Sequence, residues 1–351
     1  MKLMVRVTNW VGDAVMSLPA VGALRRQRPR DEIVLVARPW VADLYGALGA
    51  NIGIGDGVMI QDPKKGRGTL AAELRAARFD AALLLPNSFD AAWTAWRAGI
   101  PERWGYARDA RSPLLTRAVP VPRAGEIPEH QAYYYLELLR RLDILTTLPV
   151  VEDFRLPVDQ VARRTARERL AGRGVSQTGP IVGLNPGAAF GTAKRWMPDR
   201  YIALGRRLRD ERGAAIVLFG SAAERDLAAM IASRIGERTI STAGETTLGG
   251  FLELAAGCDL FVTNDTGTMH VAAAAGVPVL AVFGSTDERA TAPLGPRVRL
   301  LKHAVSCSPC LLRYCPVDHR CMRVISVDEV FEASCQILDA VPPSFSTATG
   351  R

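Results

Sequence analysis

The 351-residue sequence has no apolar run of membrane-spanning length. Its most apolar stretch, HVAAAAGVPVLAVFG at 270–284, is too short for a bilayer and is interrupted by Gly276 and Pro278. A secretory leader is not expected either, because Arg6, Asn9 and Asp13 interrupt the place where its apolar core would lie. Six cysteines are too few in a chain this long for a secreted disulfide scaffold. A soluble, cytoplasmic protein is expected, one able to reach the inner membrane as a peripheral contact. No G-x-G-x-x-G follows the first strand, and the second ends in Arg38 rather than an acid, which argues against a nicotinamide dinucleotide. Aromatic residues make up only 7% and are not interleaved with the basic ones, which disfavours nucleic acid. There is no internal repeat and no low-complexity segment. The tail PPSFSTATGR, 342–351, reads as loose.

What is present is ordinary globular composition, 48% hydrophobic and 23% charged, with length for two domains. The net charge of +8 favours anionic partners. Strand-length apolar runs fall at 3–8, 33–37, 57–60 and 80–85, then at 181–185, 215–219, 259–264 and 278–283. Helix-length stretches lie between them, at 14–28, 199–211, 222–236, 247–257 and 267–275. This βαβα order predicts parallel sheets covered on both faces. The seam falls in 148–180. The expected architecture is two Rossmann-like domains, with ligands at the strand C-termini facing a cleft.

Six stretches carry candidate chemistry. In VTNDTGTMHVAAAAG, 262–276, a strand ends at Asn264 and Asp265-Thr266-Gly267-Thr268 opens a helix. Open N–H groups and the helix dipole there suit a pyrophosphate, while Asp265 is equally suited to cap a plain packing helix. In GLNPGAAFGTAKRW, 183–196, small residues such as Gly187 leave main-chain N–H groups open, and Lys194 is a compact cation suited to phosphate. In VLFGSAAERD, 217–226, Glu224 can accept from ribose hydroxyls or simply favour the helix dipole. Asp13, directly after Gly12, would repel phosphate at a helix start. It is suited instead to take a proton from a hydroxyl, or to serve as a first-turn acid.

In CSPCLLRYCPVDHRC the thiols at Cys307, Cys310, Cys315 and Cys321 are spaced C-x2-C-x4-C-x5-C, with His319 inside and His303 just before. The readings are a structural zinc site, an iron–sulfur cluster or simply reduced thiols, and the spacing matches no standard finger. Residues 97–123 carry six arginines against Glu102 and Asp109, which suits a polyanionic acceptor or a solvated loop.

Over nearly the whole chain these pieces resemble the bacterial ADP-heptose:lipopolysaccharide heptosyltransferases, glycosyltransferase family 9. NWVGDAVMSLPAV, LLLPNSFDAAW, NPGAAFGTAKRW, LFGSAAERD, AGETTL and TNDTGTMHVAAAAGVPVLAVFG occur in that family's order. The LPNSF and PGAAFGTAKRW forms are most similar to its heptosyltransferase II branch. The resemblance implies an α/β GT-B fold, two facing Rossmann-like domains with parallel sheets and an interdomain cleft. Residues 1–172 would bind the acceptor and 173–326 the nucleotide sugar, with a helix at about 327–340 packing back on the first domain. It implies inverting transfer of L-glycero-D-manno-heptose from ADP-heptose to the first heptose of the inner core, without a metal ion in the chemistry. Alternatives are another core acceptor, another nucleotide sugar, or a metal- or nucleotide-responsive binding protein.

By motif, Asp13 is the implied general base. Lys194, implied as catalytic alongside Asp13, forms the implied pyrophosphate site with Thr266, Gly267 and Thr268, and Asp265 and Gly187 are further donor contacts. Glu224 is the ribose partner, and Thr246–Leu248 lies near adenine. Asn87 and Ser88 of LPNSF, with Arg103 and Arg108, are the expected acceptor contacts. His270 keeps its place in the motif without an assigned role. Thr268 stands where an apolar residue is common, and the cysteine cluster occurs in only part of the family.

Overall fold

In a computed structural model, residues 1–151, 156, 158–295 and 297–340 are described, 47–52 by backbone alone. The tail at 342–351 and positions 152–155 and 157 of the expected seam lie outside them. The chain divides into two units. The first is Met1–Pro157 with Thr247–Gly249 and Arg289–Leu294; the second is Val158–Thr246, Gly250–Glu288 and Gly295–Arg351.

The first sheet is built by β1 (Lys2–Arg6), β2 (Glu32–Ala37), β3 (Gly57–Ile60), β4 (Ala81–Leu84), β5 (Glu102–Tyr106) and β6 (Arg117–Val119). The helices are α1 (Val11–Gln27), α2 (Pro39–Ile52), α3 (Gly66–Ala76), α4 (Phe89–Arg97) and α5 (Gln131–Arg141). The strand order is β3-β2-β1-β4-β5-β6, and every neighbouring pair is parallel. At the centre Val5 pairs with Leu35 on one side and Leu83 on the other. These aliphatic strands are buried on both faces, which is why they read as continuous apolar runs rather than alternating ones.

The remaining helices and strands are α6 (Gln160–Gly172), β7 (Ile181–Asn185), α7 (Pro198–Arg212), β8 (Ala215–Leu218), α8 (Arg225–Ile235), β9 (Thr239–Ser241), α9 (Leu248–Ala255), β10 (Leu260–Asn264), α10 (Gly267–Ala274), β11 (Val279–Val282), α11 (Glu288–Thr291), β12 (Val298–Leu301), α12 (Arg320–Arg323) and α13 (Val327–Ala340). The second sheet runs β12-β11-β10-β7-β8-β9, again parallel throughout. Counted from its own first strand, this is the same order as in the first sheet. Both units are thus doubly wound α/β folds of the GT-B kind. Each has its topological switch beside its first strand, between β1 and β4 and between β7 and β10, where such folds bind ligands.

The sequence did not announce β5, β6, β9 or β12. The last three are short and half-exposed, so they carry no apolar run. The arginine-rich stretch at 97–123 is therefore not merely a solvated loop: it holds β5 and β6. Helix α6 packs with the second sheet, where the Arg167 guanidinium bonds both Asp259 carboxylate oxygens at 2.9 and 3.1 Å. Helix α13 packs on α7, β10 and β11 of that unit. The Arg207 guanidinium stacks 3.8 Å from the centre of the Phe331 ring.

Candidate active site

In the second unit the site starts from Asn264, the fully buried last residue of β10. Its amide cannot remain unpaired in a dry interior. The Oδ1 accepts from the Trp196 N–H at 3.0 Å and the Tyr201 hydroxyl at 3.1 Å. The Nδ2 donates to the carbonyls of Pro186 (2.9 Å) and Gly187 (3.1 Å). One side chain thereby clamps both ends of the loop that follows β7. The sequence marks Asn264 only as a strand end; the one local signal is an amide that closes the apolar run LFVTN.

That loop ends in a short turn at Thr192–Lys194. The Lys194 ammonium lies 2.6 Å from Asp265 Oδ2 and 5.2 Å from the centre of the Phe190 ring. Asp265 also accepts from the Thr286 hydroxyl at 2.6 Å. Of the two readings of Asp265, the helix cap is set aside: the residue at the α10 N-cap is Thr266, with no side-chain cap bond. The Thr266 and Thr268 hydroxyls lie 2.7 Å apart, and Asn185 Nδ2 donates to Thr268 Oγ1 at 2.8 Å. Their oxygens are thus oriented by Asn185. In the first turn of α10 the Met269 N–H bonds Thr266 O at 3.2 Å, and the N–H groups of Gly267 and Thr268 ahead of it form the positive edge of the helix. His270 is buried one turn further along α10.

Glu224 joins this group. Its Oε2 accepts from the Ser221 N–H and hydroxyl, both at 2.8 Å, in a capping box. Its Oε1 lies against Gly187, where an added Cβ would come within 1.8 Å. A larger residue there would have to displace that carboxylate. Thr246 is half-buried after a turn whose Gly244 N–H donates to Gly220 O at 2.9 Å; Leu248, the half-buried first residue of α9, belongs to the first unit.

In the first unit Asp13 sits in the first turn of α1, directly after β1. The Tyr135 hydroxyl, on α5, donates to Asp13 Oδ1 at 3.1 Å. Burial and the adjacent carboxylate push the Tyr135 phenol well above its ordinary value, so it stays a donor. The β1–α1 loop rests on Arg6, which donates to Val7 O (2.7 Å), Val36 O (3.0 Å) and Asn9 Oδ1 (2.7 Å). Burial lowers the Arg6 pKa to about 10, so the guanidinium remains charged at neutral pH.

Beside this loop, after β4, Asn87 Nδ2 donates to the Tyr134 hydroxyl at 2.8 Å. Its Oδ1 accepts from Arg111 at 3.2 Å. Arg111 is fully buried, donates to Tyr106 O at 2.9 Å, and also bonds Pro86 O. It is the arginine of 97–123 that shapes this site, and nothing in its local sequence marks it out.

Ser88 caps α4, accepting from the Ala91 N–H at 3.3 Å. Arg103 is spent on the carbonyls of Leu114 (2.6 Å), Pro101 (3.0 Å) and Ile100, near the N-terminal end of β5 and away from Asp13. Arg108 is exposed, 3.6 Å from Asp109. The structure therefore groups Asn87 and Ser88 with the Asp13 loop and leaves Arg103 out.

The four clustered thiols are free: Cys307 is exposed, Cys310 and Cys315 are half-buried, and Cys321 is buried. Among the described residues no three His, Cys, Asp or Glu side chains are disposed to hold a metal ion. His303 is drawn away, 2.9 Å from Glu329. The segment braces the loop that follows β7. Arg313 O accepts from the Ala193 N–H at 3.0 Å, and Arg313 Nε donates to Phe190 O at 2.8 Å. The Cys310 and Leu311 N–H groups both bond Ser285 O.

Residues 67–320 match the model of glycosyltransferase family 9 (heptosyltransferase). The chain is 32% identical to lipopolysaccharide heptosyltransferase 2 of Escherichia coli K12 over 312 residues, 86% of this chain and 88% of that one. It is 30% identical to lipooligosaccharide heptosyltransferase 2 of Haemophilus ducreyi, with the same shares covered. Among solved structures, the E. coli ADP-heptose lipopolysaccharide heptosyltransferase II superimposes with a TM-score of 0.82 at 29% identity, covering 97% of this chain and 99% of that one.

Proposed function

This chain belongs to glycosyltransferase family 9, and from that premise we propose that it transfers heptose from ADP-heptose to the first heptose of the lipopolysaccharide inner core, with inversion. The observation that carries this reading is the convergence of Lys194, Asp265, Thr266–Thr268, Gly187 and Glu224 at the switch of the second sheet, with Asp13 at the equivalent switch of the first.

Donor binding follows from the chemistry of those groups. The diphosphate takes the Lys194 ammonium and the open N–H groups at the start of α10, releasing Lys194 from Asp265. Glu224 offers its Oε1 to the ribose hydroxyls while its Oε2 holds the capping box. Thr246–Leu248 borders the adenine. As the anomeric C–O bond breaks, negative charge grows on ADP, and this fixed positive edge stabilises it with no need of a metal ion. The acceptor hydroxyl attacks the anomeric carbon from the opposite face and gives its proton to Asp13. Tyr135 holds that carboxylate in place. None of these steps runs through the four thiols.

No helix among the described residues is long and apolar enough to cross a membrane. The acceptor is lipid-anchored, and the +8 charge favours transient contact with the anionic cytoplasmic leaflet. The test is transfer by Asp13→Ala with ADP-heptose and a defined inner-core acceptor. Transfer should fall by about 10²–10⁴-fold, the range for losing a general base, with ADP affinity retained. Unchanged turnover would remove Asp13 as the base. Transfer from UDP- or GDP-sugars in preference to ADP-heptose would overturn the choice of donor.

A further inference from the structure

Three neighbouring strands of the first sheet, in the order β2-β1-β4, are each followed by a large aromatic residue that the core does not use. Trp40 follows β2, Trp10 follows β1 and Phe89 follows β4; they are 53%, 59% and 48% exposed. Strands lie about 4.8 Å apart, so the three strand ends span about 10 Å of the rim. Apolar surface concentrated in this way costs solubility, and its persistence at one rim points to a ligand.

Their positions are held. Trp40 Nε1 donates to Asn9 O at 2.8 Å, tying the start of α2 to the loop that carries Trp10. Across that loop, Arg38 at the end of β2 lies 3.8 Å from Asp90 in the first turn of α4. Arg67 bonds the same carboxylate at 2.7 Å. Two guanidinium groups thus share one carboxylate, which leaves the rim net positive. Trp10 is the N-cap residue of α1, and Asp13 lies within the turn it opens. The rim is therefore continuous with the base.

From this we infer that Trp10, Trp40 and Phe89 form the platform on which the acceptor saccharide lies. This rests on the reading of Asp13 as the base that meets the acceptor. An aromatic face is electronegative, and the C–H face of a sugar ring is apolar and weakly positive, so the two stack without burying hydroxyls. The sugar hydroxyls then point away from the rings, free to reach Asp13 and Asn87. Arg38 and Arg67 favour an acceptor that carries phosphate or carboxylate groups next to the stacked ring.

The experiment uses a deacylated inner-core saccharide ending in one heptose, so that no lipid contributes. Trp10→Ala, Trp40→Ala and Phe89→Ala are each expected to raise the acceptor KM by about tenfold, equivalent to about 1.4 kcal/mol. The donor KM should stay unchanged, and Trp10→Phe should recover most of the loss. Binding of the same saccharide without donor, read by calorimetry, should weaken in parallel. That readout decides the platform even if the wild type transfers nothing to this acceptor, a result that would count against the proposed reaction alone. Wild-type affinity equal to that of the Ala variants, or no saccharide binding at all, would overturn the platform. So would a defect confined to lipid-bearing acceptor or to anionic phospholipid vesicles, which would make the rim a membrane contact.

Discussion

Replacing Asn264 tests whether one buried amide organises the donor loop. Its four hydrogen bonds join Trp196 N, Tyr201 Oη, Pro186 O and Gly187 O at 2.9–3.1 Å. At about 1 kcal/mol net for each bond, Asn264→Ala should cost about 4 kcal/mol. Asn264→Asp is the sharper probe. It keeps the Oδ1 acceptor for Trp196 and Tyr201 but turns a second acceptor toward two carbonyls. Burial then favours the protonated acid, which can donate to one of them. Such a carboxyl binds its proton more tightly folded than unfolded. The variant should therefore lose stability, relative to wild type, as pH rises above the ordinary aspartate value of about 4. Urea unfolding supplies the measurement. The transition to follow is the one that ADP shifts, because a ligand of the folded second unit moves that unit's transition. ADP affinity should fall in both variants, since the carbonyls of Pro186 and Gly187 lose their anchor. Stability of Asn264→Ala within about 0.5 kcal/mol of wild type, the range of an inert surface change, would refute the clamp. Unaltered ADP binding in both variants would do the same.

Gly187→Ala places a Cβ 1.8 Å from Glu224 Oε1 and must displace that carboxylate. It should weaken ADP binding by about tenfold or more, the equivalent of losing one charge-assisted bond, with little change for ADP-free stability outside the capping box; calorimetric titration with ADP checks this. His130 caps α5, accepting from the Ala132 N–H through Nδ1 while Nε2 bonds Ala292 O. Burial lowers its pKa below the usual 6.5, so the unfolded chain binds the proton first. Stability contributed by this neutral ring is present above pH 6.5 and is lost as pH falls through the lowered folded value. His130→Asn, which keeps a capping oxygen, should flatten that dependence in thermal melts between pH 5 and about 7.5.

Much of the fold was legible because its central strands announce themselves locally. The cores of β2, β4, β7 and β10 are apolar because both faces are covered, and these four strands lie within one residue of the expected runs at either end. The half-exposed strands β6, β9 and β12 carry no such run. The shared strand order of the two units left no sequence repeat, because one winding can be satisfied by unrelated core residues.

For the site, the sequence by itself determined which residue types stand at each strand end: the acid after Gly12, the lysine of GTAKRW, and the small polar run at the start of α10. Motif order was enough to imply the family, since those features are local in the chain. Only the tertiary structure decided who meets whom. Asp265 pairs with Lys194 rather than capping its own helix, and Asn264 clamps a loop 68–78 residues away. Arg111 becomes a buried brace while Arg103, eight residues earlier, is spent at the other end of the sheet. The reason is physical. A parallel sheet sets segments some 80 residues apart within hydrogen-bonding distance at one edge, and a buried polar group takes whatever partner that edge supplies.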